Sequence, residues 1–305
     1  PFRLHRGHTV GDRAKVARVS ARRYGLVNRI HDPGKEAGFG VIDKDQPQGR
    51  ASGSDLIHSE SSAIPSLCAV ARPSSGMAMP GDKLINDFEA IGYGIDTLKK
   101  EEVHILQEGE FIKEKTRAII GAGTGLGVGI SVFDGKHFYV IPTEGGHVDF
   151  APTDDTQIAL LQHLRKKLHR VSIERLVSGQ GLVNIYNFVR EHPISNEKEN
   201  PELKLNLFNS DDAPAIISEY AIQHHDAMAA RALDLFIRIY GACAGNLALT
   251  TLPYSGIYIV GGIAPKLLPQ LTDGRFLRAY NDKGRMSNLL STLPIYIVLD
   301  TQIGL

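Results

Sequence analysis

The feature of the sequence that most constrains the fold is a meander pattern in residues 117–140, RAIIGAGTGLGVGISVFDGKHFYV. An apolar run at 118–120 meets a turn dense in glycine, and alternating apolar residues follow that turn. Asp134 and Gly135 then form a hairpin-turn signal, and a further apolar segment begins at Phe138. The pattern predicts three antiparallel strands in succession, so the fold must contain a sheet.

Beyond this meander, helical patterns alternate with isolated strands. The spacing of apolar residues predicts a helix around 158–168, and an Ala- and Leu-rich segment from Asp226 to about Leu249 predicts a long one. Buried strands rich in β-branched residues are predicted at 256–260 and 294–299. This order of elements predicts an α/β protein with mixed sheets.

Other segments have weaker patterns. Residues 103–106 are a strand candidate. Ser172 precedes a short helical pattern for which Gly179 is the expected stop, and a further short helix is predicted at 181–189. Residues 192–215 are rich in Asn, Asp, Glu, Pro and Ser, and we expect a polar loop region there.

The first 80 residues lack a strong period of 2 or 3.6. Residues 1–50 contain eleven Lys and Arg against five Asp and Glu, although the whole chain has 34 of each and a formal net charge of zero. We expect an atypical segment, disordered or frame-shifted, rather than a nucleic-acid-binding arm. The neutral chain gives no electrostatic argument for a nucleic-acid or membrane partner.

Composition also bears on the compartment. No apolar run reaches the roughly 20 residues that span a bilayer. Cys68 and Cys243 are far apart and lie in no zinc or redox motif. We therefore expect a reducing, cytoplasmic compartment.

The glycine-dense stretch GAGTGLG, residues 121–127, predicts an anion site. Its alternate glycines permit positive φ and close backbone approach, and a nest of backbone N–H groups can hold a phosphate. Thr124 adds a hydroxyl donor. The stretch is neither a Walker A loop nor a dinucleotide fingerprint, because no Gly-Lys-Ser/Thr is present and a strand-like pattern follows. The alternative is a hairpin whose glycines have only a packing role.

Two junctions between a strand and a helix have residues suited to ligand binding. At the first, Asn86 and Asp87 are adjacent, and an Asp there could accept a proton from a substrate hydroxyl. The alternative is a helix N-cap. At the second, Gly261 and Gly262 could admit a ligand against the backbone or could simply form a turn.

The segment EGGHVDFAP, residues 144–152, gathers Glu144, His147 and Asp149. A zinc site would favour Glu144 and His147 on one helical face, but the two glycines between them argue against a helix. A hydroxyl-rich ligand fits better, because carboxylates accept hydrogen bonds and imidazole can donate or accept them. Glu174 offers another carboxylate, although an acid in the first turn of a helix is also favoured by the helix dipole. Asp149 is expected to be structural.

Six strings in this order resemble the bacterial-type glucokinase family, in the group without the zinc-binding cysteines of its repressor and kinase relatives. The strings are INDFEAIGYG (85–94), GAGTGLGV (121–128), PTEGGHVDFAP (142–152), SIERLVSGQGLVNIY (172–186), GNLALT (245–250) and GGIAP (261–265). The resemblance covers roughly residues 81–305. It implies the two-domain actin/hexokinase-like, or ribonuclease H-like, fold, with a cleft for sugar and ATP between the domains.

The resemblance also implies a function. It implies ATP-dependent phosphorylation of glucose at its 6-hydroxyl with Mg²⁺, the first step of glycolysis, and a homodimer by analogy. It makes Asp87 the general base and Asn86 a sugar ligand. The other residues that it implies are Glu144, His147 and Glu174 for glucose hydroxyls, Gly123, Thr124 and Gly125 for ATP phosphate, and Gly261 and Gly262 near the adenosine.

Two family features are missing from the sequence. Residues 1–80 contain no Asp-x-Gly-Gly-Thr string, which in the family helps to hold Mg²⁺ and ATP. We therefore expect an incomplete N-terminal domain, with residues 81–112 as the remnant of the small domain. The helix that in the family follows the equivalent of residues 303–305 is also absent, so we expect 113–305 to be the large domain without its last helix. Because the Asp-x-Gly-Gly-Thr phosphate loop is missing, the alternatives to an active glucokinase are an inactive form of the enzyme and a sugar-binding protein without kinase activity.

Overall fold

The computed structural model describes residues 87–192 and 198–303, and a six-stranded mixed sheet lies at its centre. The strands are β1 Val103–Gln107, β2 Arg117–Ala122, β3 Leu126–Phe133, β4 Phe138–Pro142, β5 Ile257–Val260 and β6 Ile295–Val298. Their order across the sheet is β1-β6-β5-β2-β3-β4. Strands β2, β5 and β6 are parallel, whereas β3, β4 and β1 pair antiparallel with their neighbours. The predicted α/β class, mixed sheet and meander are confirmed.

Ten α-helices lie within the described residues. They are α1 Asp87–Gly94, α2 Asp155–Arg165, α3 Gly179–Glu191, α4 Pro201–Asn209, α5 Ala213–Ile222, α6 Ala227–Thr251, α7 Ile263–Lys266, α8 Leu268–Thr272, α9 Arg275–Asn281 and α10 Ser287–Leu290. Short 3₁₀ turns occur at Ile95–Thr97, Lys100–Glu102, Gly145–His147, Ile173–Arg175 and Gly284–Met286. The long helix predicted from Asp226 is confirmed, and the Asp226 side chain caps it by accepting a hydrogen bond from the amide of Ala229 at 2.9 Å.

Helices cover the sheet on both faces, which explains why all six residues of β2 are buried. On one face, Ile120 packs in the main core together with helix α6, and the hydroxyl of Tyr240 donates to the carbonyl of Ile120. On the other face, Ile119 packs in a smaller apolar cluster that includes Phe88 and Ile91 of α1. The central strands are therefore fixed from both sides.

Glycines let α1 approach the sheet closely. A Cβ built on Gly127 would lie 1.8 Å from the Phe88 ring, and a Cβ on Gly121 would lie 2.9 Å from it. The Phe88 side chain thus fills a slot that exists only because both positions lack a side chain. These two glycines have a packing role, whereas Gly123 has no atom within 4 Å of its built Cβ. The packing interpretation of the glycine-dense stretch therefore holds for Gly121 and Gly127 but not for Gly123.

Two predictions about helix boundaries are wrong. Gly179 does not stop a helix but begins α3, because Ser178 caps that helix by accepting a hydrogen bond from the amide of Gly181 at 3.0 Å. The segment before it is only a 3₁₀ turn, Ile173–Arg175. Within 192–215, helix α4 and the start of α5 replace the expected polar loop.

The helices in that segment follow from start signals hidden in a polar sequence. The Asn200 side chain caps α4, and Pro201 follows at its first position. The Asp212 side chain caps α5 by accepting from the amide of Ala215 at 3.2 Å. Asn, Asp and Pro are common both in turns and at helix starts, so the composition of this segment wrongly predicted a loop.

Helix α6 is long and apolar enough to cross a membrane by length and composition, but 67% of its apolar window is buried inside the protein. Its buried residues include Phe236 and Tyr240, which belong to the main core. This burial is typical of the core helix of a globular domain. The expected absence of a membrane partner stays a prediction.

Residues 1–86 lie outside the described residues. The expectations for residues 1–80, for the part of the small-domain remnant at 81–86, for Cys68 and for Asn86 therefore stay predictions. So do the boundary predicted between 112 and 113 and the missing last helix.

We predict that Gly127→Ala lowers the free energy of unfolding by about 1–3 kcal/mol, because the new methyl group would overlap the Phe88 ring. Urea denaturation measures this loss. The matched control is Gly129→Ala on the same strand, where the built Cβ lies at an ordinary contact distance of 3.6 Å from Ile119. Adding Phe88→Leu to Gly127→Ala should recover part of the loss. Equal losses in the two single variants would show that Phe88 does not fill this slot.

Candidate functional site

Two glycine turns lie side by side where the parallel strands β2 and β5 end. Gly121 of β2 is paired with Val260 of β5, so the residues that follow both strands emerge at the same edge of the sheet. After β2 come residues 123–125, which we call the glycine turn. After β5 comes Gly261, whose φ is +88° and whose built Cβ would lie 2.7 Å from the carbonyl oxygen of Ala122. Ligands of open α/β sheets bind at such an edge, beyond the carboxyl ends of the strands.

The glycine turn exposes its tip. Its base is closed by a hydrogen bond from the amide of Gly123 to the carbonyl of Gly125 at 2.9 Å. Thr124 is exposed at the tip, as the anion-site hypothesis requires. Gly262 likewise has no atom within 4 Å of its built Cβ, so both turns leave room for a ligand.

The 3₁₀ turn Gly145–His147 is held against the start of β3. A Cβ built on Gly146 would lie 2.0 Å from the carbonyl oxygen of Leu126, so only glycine permits this approach. The hydroxyl of Thr143 donates to the carbonyl of Val128 at 2.7 Å. The glycines, which argued against a helix, thus build a single helical turn that brings His147 to the start of β3.

His147 lies between two carboxylates. Its Nε2 is 3.8 Å from Oε2 of Glu144, and its Nδ1 is 3.9 Å from Oε1 of Glu174. These distances exceed a hydrogen bond and leave the polar atoms available to a ligand. We call Glu144, His147 and Glu174 the His147 cluster. The structure brings together the three residues that the sequence pointed to for hydroxyl recognition.

The metal hypothesis gains no support. Within 87–192 and 198–303, no group of three or more His, Cys, Asp or Glu side chains is arranged to hold a metal ion. A catalytic zinc site needs three such ligands at about 2 Å from the metal. The His147 cluster is too widely spaced for that arrangement.

Glu174 contacts the glycine turn as well as His147. Its Oε2 accepts a hydrogen bond from the amide of Leu126 at 3.2 Å, and a Cβ built on Gly125 would lie 2.7 Å from the same oxygen. The amide of Gly179 donates to the carbonyl of Gly123 at 2.8 Å. The segment 174–179 therefore packs along the glycine turn.

Asp87 begins helix α1 and is exposed. Its Oδ1 accepts a hydrogen bond from the amide of Phe88 at 2.8 Å. Because the Phe88 ring packs against Gly121 and Gly127, which are paired across the hairpin, Asp87 lies at the edge of the sheet where the glycine turn emerges. Asn86, the sugar ligand predicted next to Asp87, lies outside the described residues.

No local sequence pattern points to Arg170, which supports the His147 turn. Its guanidinium donates to the carbonyl of His147 at 2.7 Å, and its Nε lies 2.7 Å from Oδ1 of Asp149. Asp149 thus orients the arginine that holds His147. Thr143 is a second supporting residue, and its position two residues before Gly145 is a recognisable hydroxyl-turn signal.

An apolar cavity of about 290 Å³ lies beside this turn, lined in part by Thr143, Ile239 and Cys243. Burial raises the pKa of the Cys243 thiol to about 12, so the thiol is protonated at neutral pH and is a poor nucleophile. Asp149, Gln157 and Asn246 also line the cavity, but most of its wall is apolar, which suits a hydroxyl-rich ligand poorly. The polar candidate site is the His147 cluster rather than this cavity.

Comparison with known proteins decides the family. The family model for glucokinase matches residues 71–305. The chain belongs to the glucokinase family. Glucokinases are sugar kinases of the hexokinase type, and the family prediction is confirmed.

Curated relatives agree with this family. The glucokinase of a Nostoc species is 44% identical over 244 residues, which cover 77% of this chain and 71% of the relative. The glucokinase of a Synechocystis species is 41% identical over 245 residues, which cover 77% of this chain and 69% of the relative.

Solved glucokinases share the fold. The enzyme of an Antarctic psychrotroph is 30% identical with a TM-score of 0.63, and the match covers 72% of this chain and 65% of that one. The glucokinase of Balamuthia mandrillaris, solved in complex with glucose, is 20% identical with a TM-score of 0.60, covering 71% and 61%. The chain thus spans somewhat less than two thirds of the solved enzymes' length.

We predict that Arg170→Ala raises the KM for glucose about two- to tenfold, because the His147 carbonyl loses a charged hydrogen-bond donor. Steady-state kinetics measure the change. The free energy of unfolding should fall by less than about 1 kcal/mol, because the ion pair is exposed.

Two controls separate the contributions. Asp149→Asn removes the ion pair but keeps the bond from Arg170 to His147, so its effect on the KM should be smaller. Lys166→Ala removes another exposed cation, four residues earlier in the chain, and should leave the KM unchanged. A KM for Arg170→Ala equal to that of Lys166→Ala would show that Arg170 does not support the His147 turn.

Proposed function

We propose that this chain binds glucose and ATP and transfers the γ-phosphoryl group to the 6-hydroxyl of glucose. The observation that carries the proposal is the position of the His147 cluster, which abuts the glycine turn through Glu174. A cluster of sugar-type acceptors beside a phosphate-type turn is what a sugar kinase requires. The family supplies the reaction, and glucose is the ligand found with the Balamuthia enzyme.

The His147 cluster suits a hexose chemically. Each carboxylate can accept hydrogen bonds from two neighbouring hydroxyls, and the imidazole can donate or accept one. A sugar that fails to supply these hydroxyls leaves polar groups unpaired, which costs affinity. Asn86 would add an amide ligand from the residue that precedes α1.

Asp87 is the proposed general base. Phosphoryl transfer depends mainly on positioning and charge stabilisation, so the base need only orient one hydroxyl and accept its proton. Asp87 is exposed and lies at the edge of the sheet where the glycine turn emerges, and its carboxylate keeps one oxygen free of the bond to the Phe88 amide.

The glycine turn is the proposed contact of the ATP phosphates. Thr124 and Gly125 offer backbone N–H groups, and Thr124 adds its hydroxyl, whereas the Gly123 amide closes the turn by donating to the carbonyl of Gly125. Gly261 and Gly262 would lie near the adenosine. Mg²⁺ would accompany the nucleotide and neutralise phosphate charge. Mg²⁺ is commonly bound through substrate phosphates and water with only one or two carboxylates of the protein.

We predict that Asp87→Asn lowers kcat by at least about 100-fold and changes the dissociation constant for glucose less than about threefold, because the amide keeps the shape but cannot accept the proton. A coupled assay for glucose 6-phosphate measures kcat, and calorimetry measures glucose binding. Asp96→Asn, which alters an exposed carboxylate paired with Arg117, is the control. Turnover that survives Asp87→Asn would reject Asp87 as the base.

A sugar-binding protein without kinase activity is the second candidate function. It is favoured by the absence of an Asp-x-Gly-Gly-Thr string in residues 1–80 beside an assembled His147 cluster. Calorimetric titrations with glucose and with Mg·ATP, each alone, distinguish the two functions. Binding of both ligands with formation of glucose 6-phosphate supports the kinase. Binding of glucose alone supports the second function.

Compartment and partners are part of the proposal. We place the protein in the cytoplasm, with glucose and ATP as its ligands and no nucleic-acid or membrane partner. A homodimer follows only by analogy with the family, and light scattering of the purified protein measures it.

A further inference from the structure

Two carboxylates flank His147 at almost equal distances, but their surroundings differ. The Glu144 side chain is 83% exposed, and within 87–192 and 198–303 no backbone amide donates to it. The Glu174 side chain is only 26% exposed, and its Oε2 accepts from the amide of Leu126. Glu174 is therefore joined to the backbone of the β2–β3 hairpin, whereas Glu144 is mostly exposed to solvent.

The Leu126 amide lies at the base of the glycine turn. Leu126 is the first residue of β3 and is paired with Ala122, the last residue of β2, so the turn spans the gap between them. A hydrogen bond to this amide fixes the end of the turn. The Glu174 carboxylate also fills the space above Gly125, because a Cβ built there would lie 2.7 Å from Oε2.

The backbone around Glu174 holds the other end of the turn. The amide of Gly179 donates to the carbonyl of Gly123, and the hydroxyl of Ser178 donates to the carbonyl of Glu174 at 2.7 Å. One short segment, 174–179, thus contacts both ends of the glycine turn. Its backbone contact is fixed, whereas its carboxylate contact can be broken by rotation of a terminal torsion.

We propose that Glu174 is a positioning residue that couples the glucose site to the phosphate turn. One oxygen, Oε1, faces His147 and a bound sugar, and the other, Oε2, fixes the Leu126 amide. A sugar hydroxyl that donates to Oε1 holds the carboxylate in the orientation that orders the turn. Each ligand then raises the affinity for the other by the same factor, as thermodynamic linkage requires.

This inference rests on the proposed function, since it needs both ligands to bind. It differs from sugar contact alone because it assigns an effect on nucleotide affinity to a residue that acts on the nucleotide only indirectly, by fixing the glycine turn. Glu144 gives the comparison, because it faces the same imidazole but not the turn.

Two glycines of the same turn provide the test. Gly125→Ala places a methyl group against Oε2 and should push the carboxylate aside, whereas Gly123→Ala meets no atom within 4 Å. Neither glycine has a positive φ, so neither alanine strains the backbone. Calorimetry should show a dissociation constant for glucose raised about three- to tenfold in Gly125→Ala and unchanged in Gly123→Ala. The midpoint of thermal unfolding should stay the same in Gly123→Ala and fall by no more than about 5 °C in Gly125→Ala, which loses the hydrogen bond from the Leu126 amide to Glu174.

The reciprocal measurement uses a non-hydrolysable ATP analogue with Mg²⁺. In the unsubstituted protein, saturating glucose should tighten analogue binding at least about threefold. Glu174→Ala should abolish that enhancement and also weaken analogue binding without sugar. Glu144→Ala should weaken glucose binding but keep analogue binding without sugar unchanged.

The outcomes separate the two proposals. If the unsubstituted protein binds neither glucose nor the analogue, the proposed function fails and the coupling fails with it. If it binds both but Gly125→Ala keeps the original glucose affinity, or Gly123→Ala loses as much, the coupling is wrong and the function stands. Equal effects of Glu144→Ala and Glu174→Ala on analogue binding would also overturn it.

Discussion

The rest of the structure depends on the parallel pairing of β2 with β5 in a sheet that is covered on both faces. The pairing aligns Gly121 with Val260, and it therefore fixes where each chain leaves the sheet. Every residue of β2 is buried, so the pairing is protected from water and the register cannot slip without exposing apolar side chains. The glycine turn, Gly261 and the start of α1 all take their positions from this pair.

Much of the fold could be predicted from the sequence, because the alternation of apolar residues and the turn residues along 117–140 indicate the same structure. The Asp134 carboxylate accepts from the amides of Lys136 and His137, and Gly135 has a φ of +102°, as the hairpin signal required. The same agreement holds for α6 and its cap at Asp226. Where local signals were ambiguous, as at Gly179, the prediction was wrong because glycine can both end a helix and begin one.

Only part of the candidate site could be predicted from the sequence. Residue type suggested Glu144, His147 and Glu174, but the distances that join them depend on packing between segments far apart in sequence. Arg170 carries no local signal, since its role arises from the antiparallel contact of 148–150 with 171–173. The tether from Glu174 to Leu126 is likewise a tertiary contact across 48 residues, so no motif records it.

The slot occupied by Phe88 has a consequence for how this site can vary. Asp87 has its position because the next side chain is anchored in space left by Gly121 and Gly127. A larger residue at 127 would lift the start of α1 and move the carboxylate with it. Substitutions at positions 88 and 127 should therefore be tolerated only when the two side chains stay complementary in size. The position of the Asp87 carboxylate beside the glycine turn thus depends on how the neighbouring side chain packs on the apolar face of a strand.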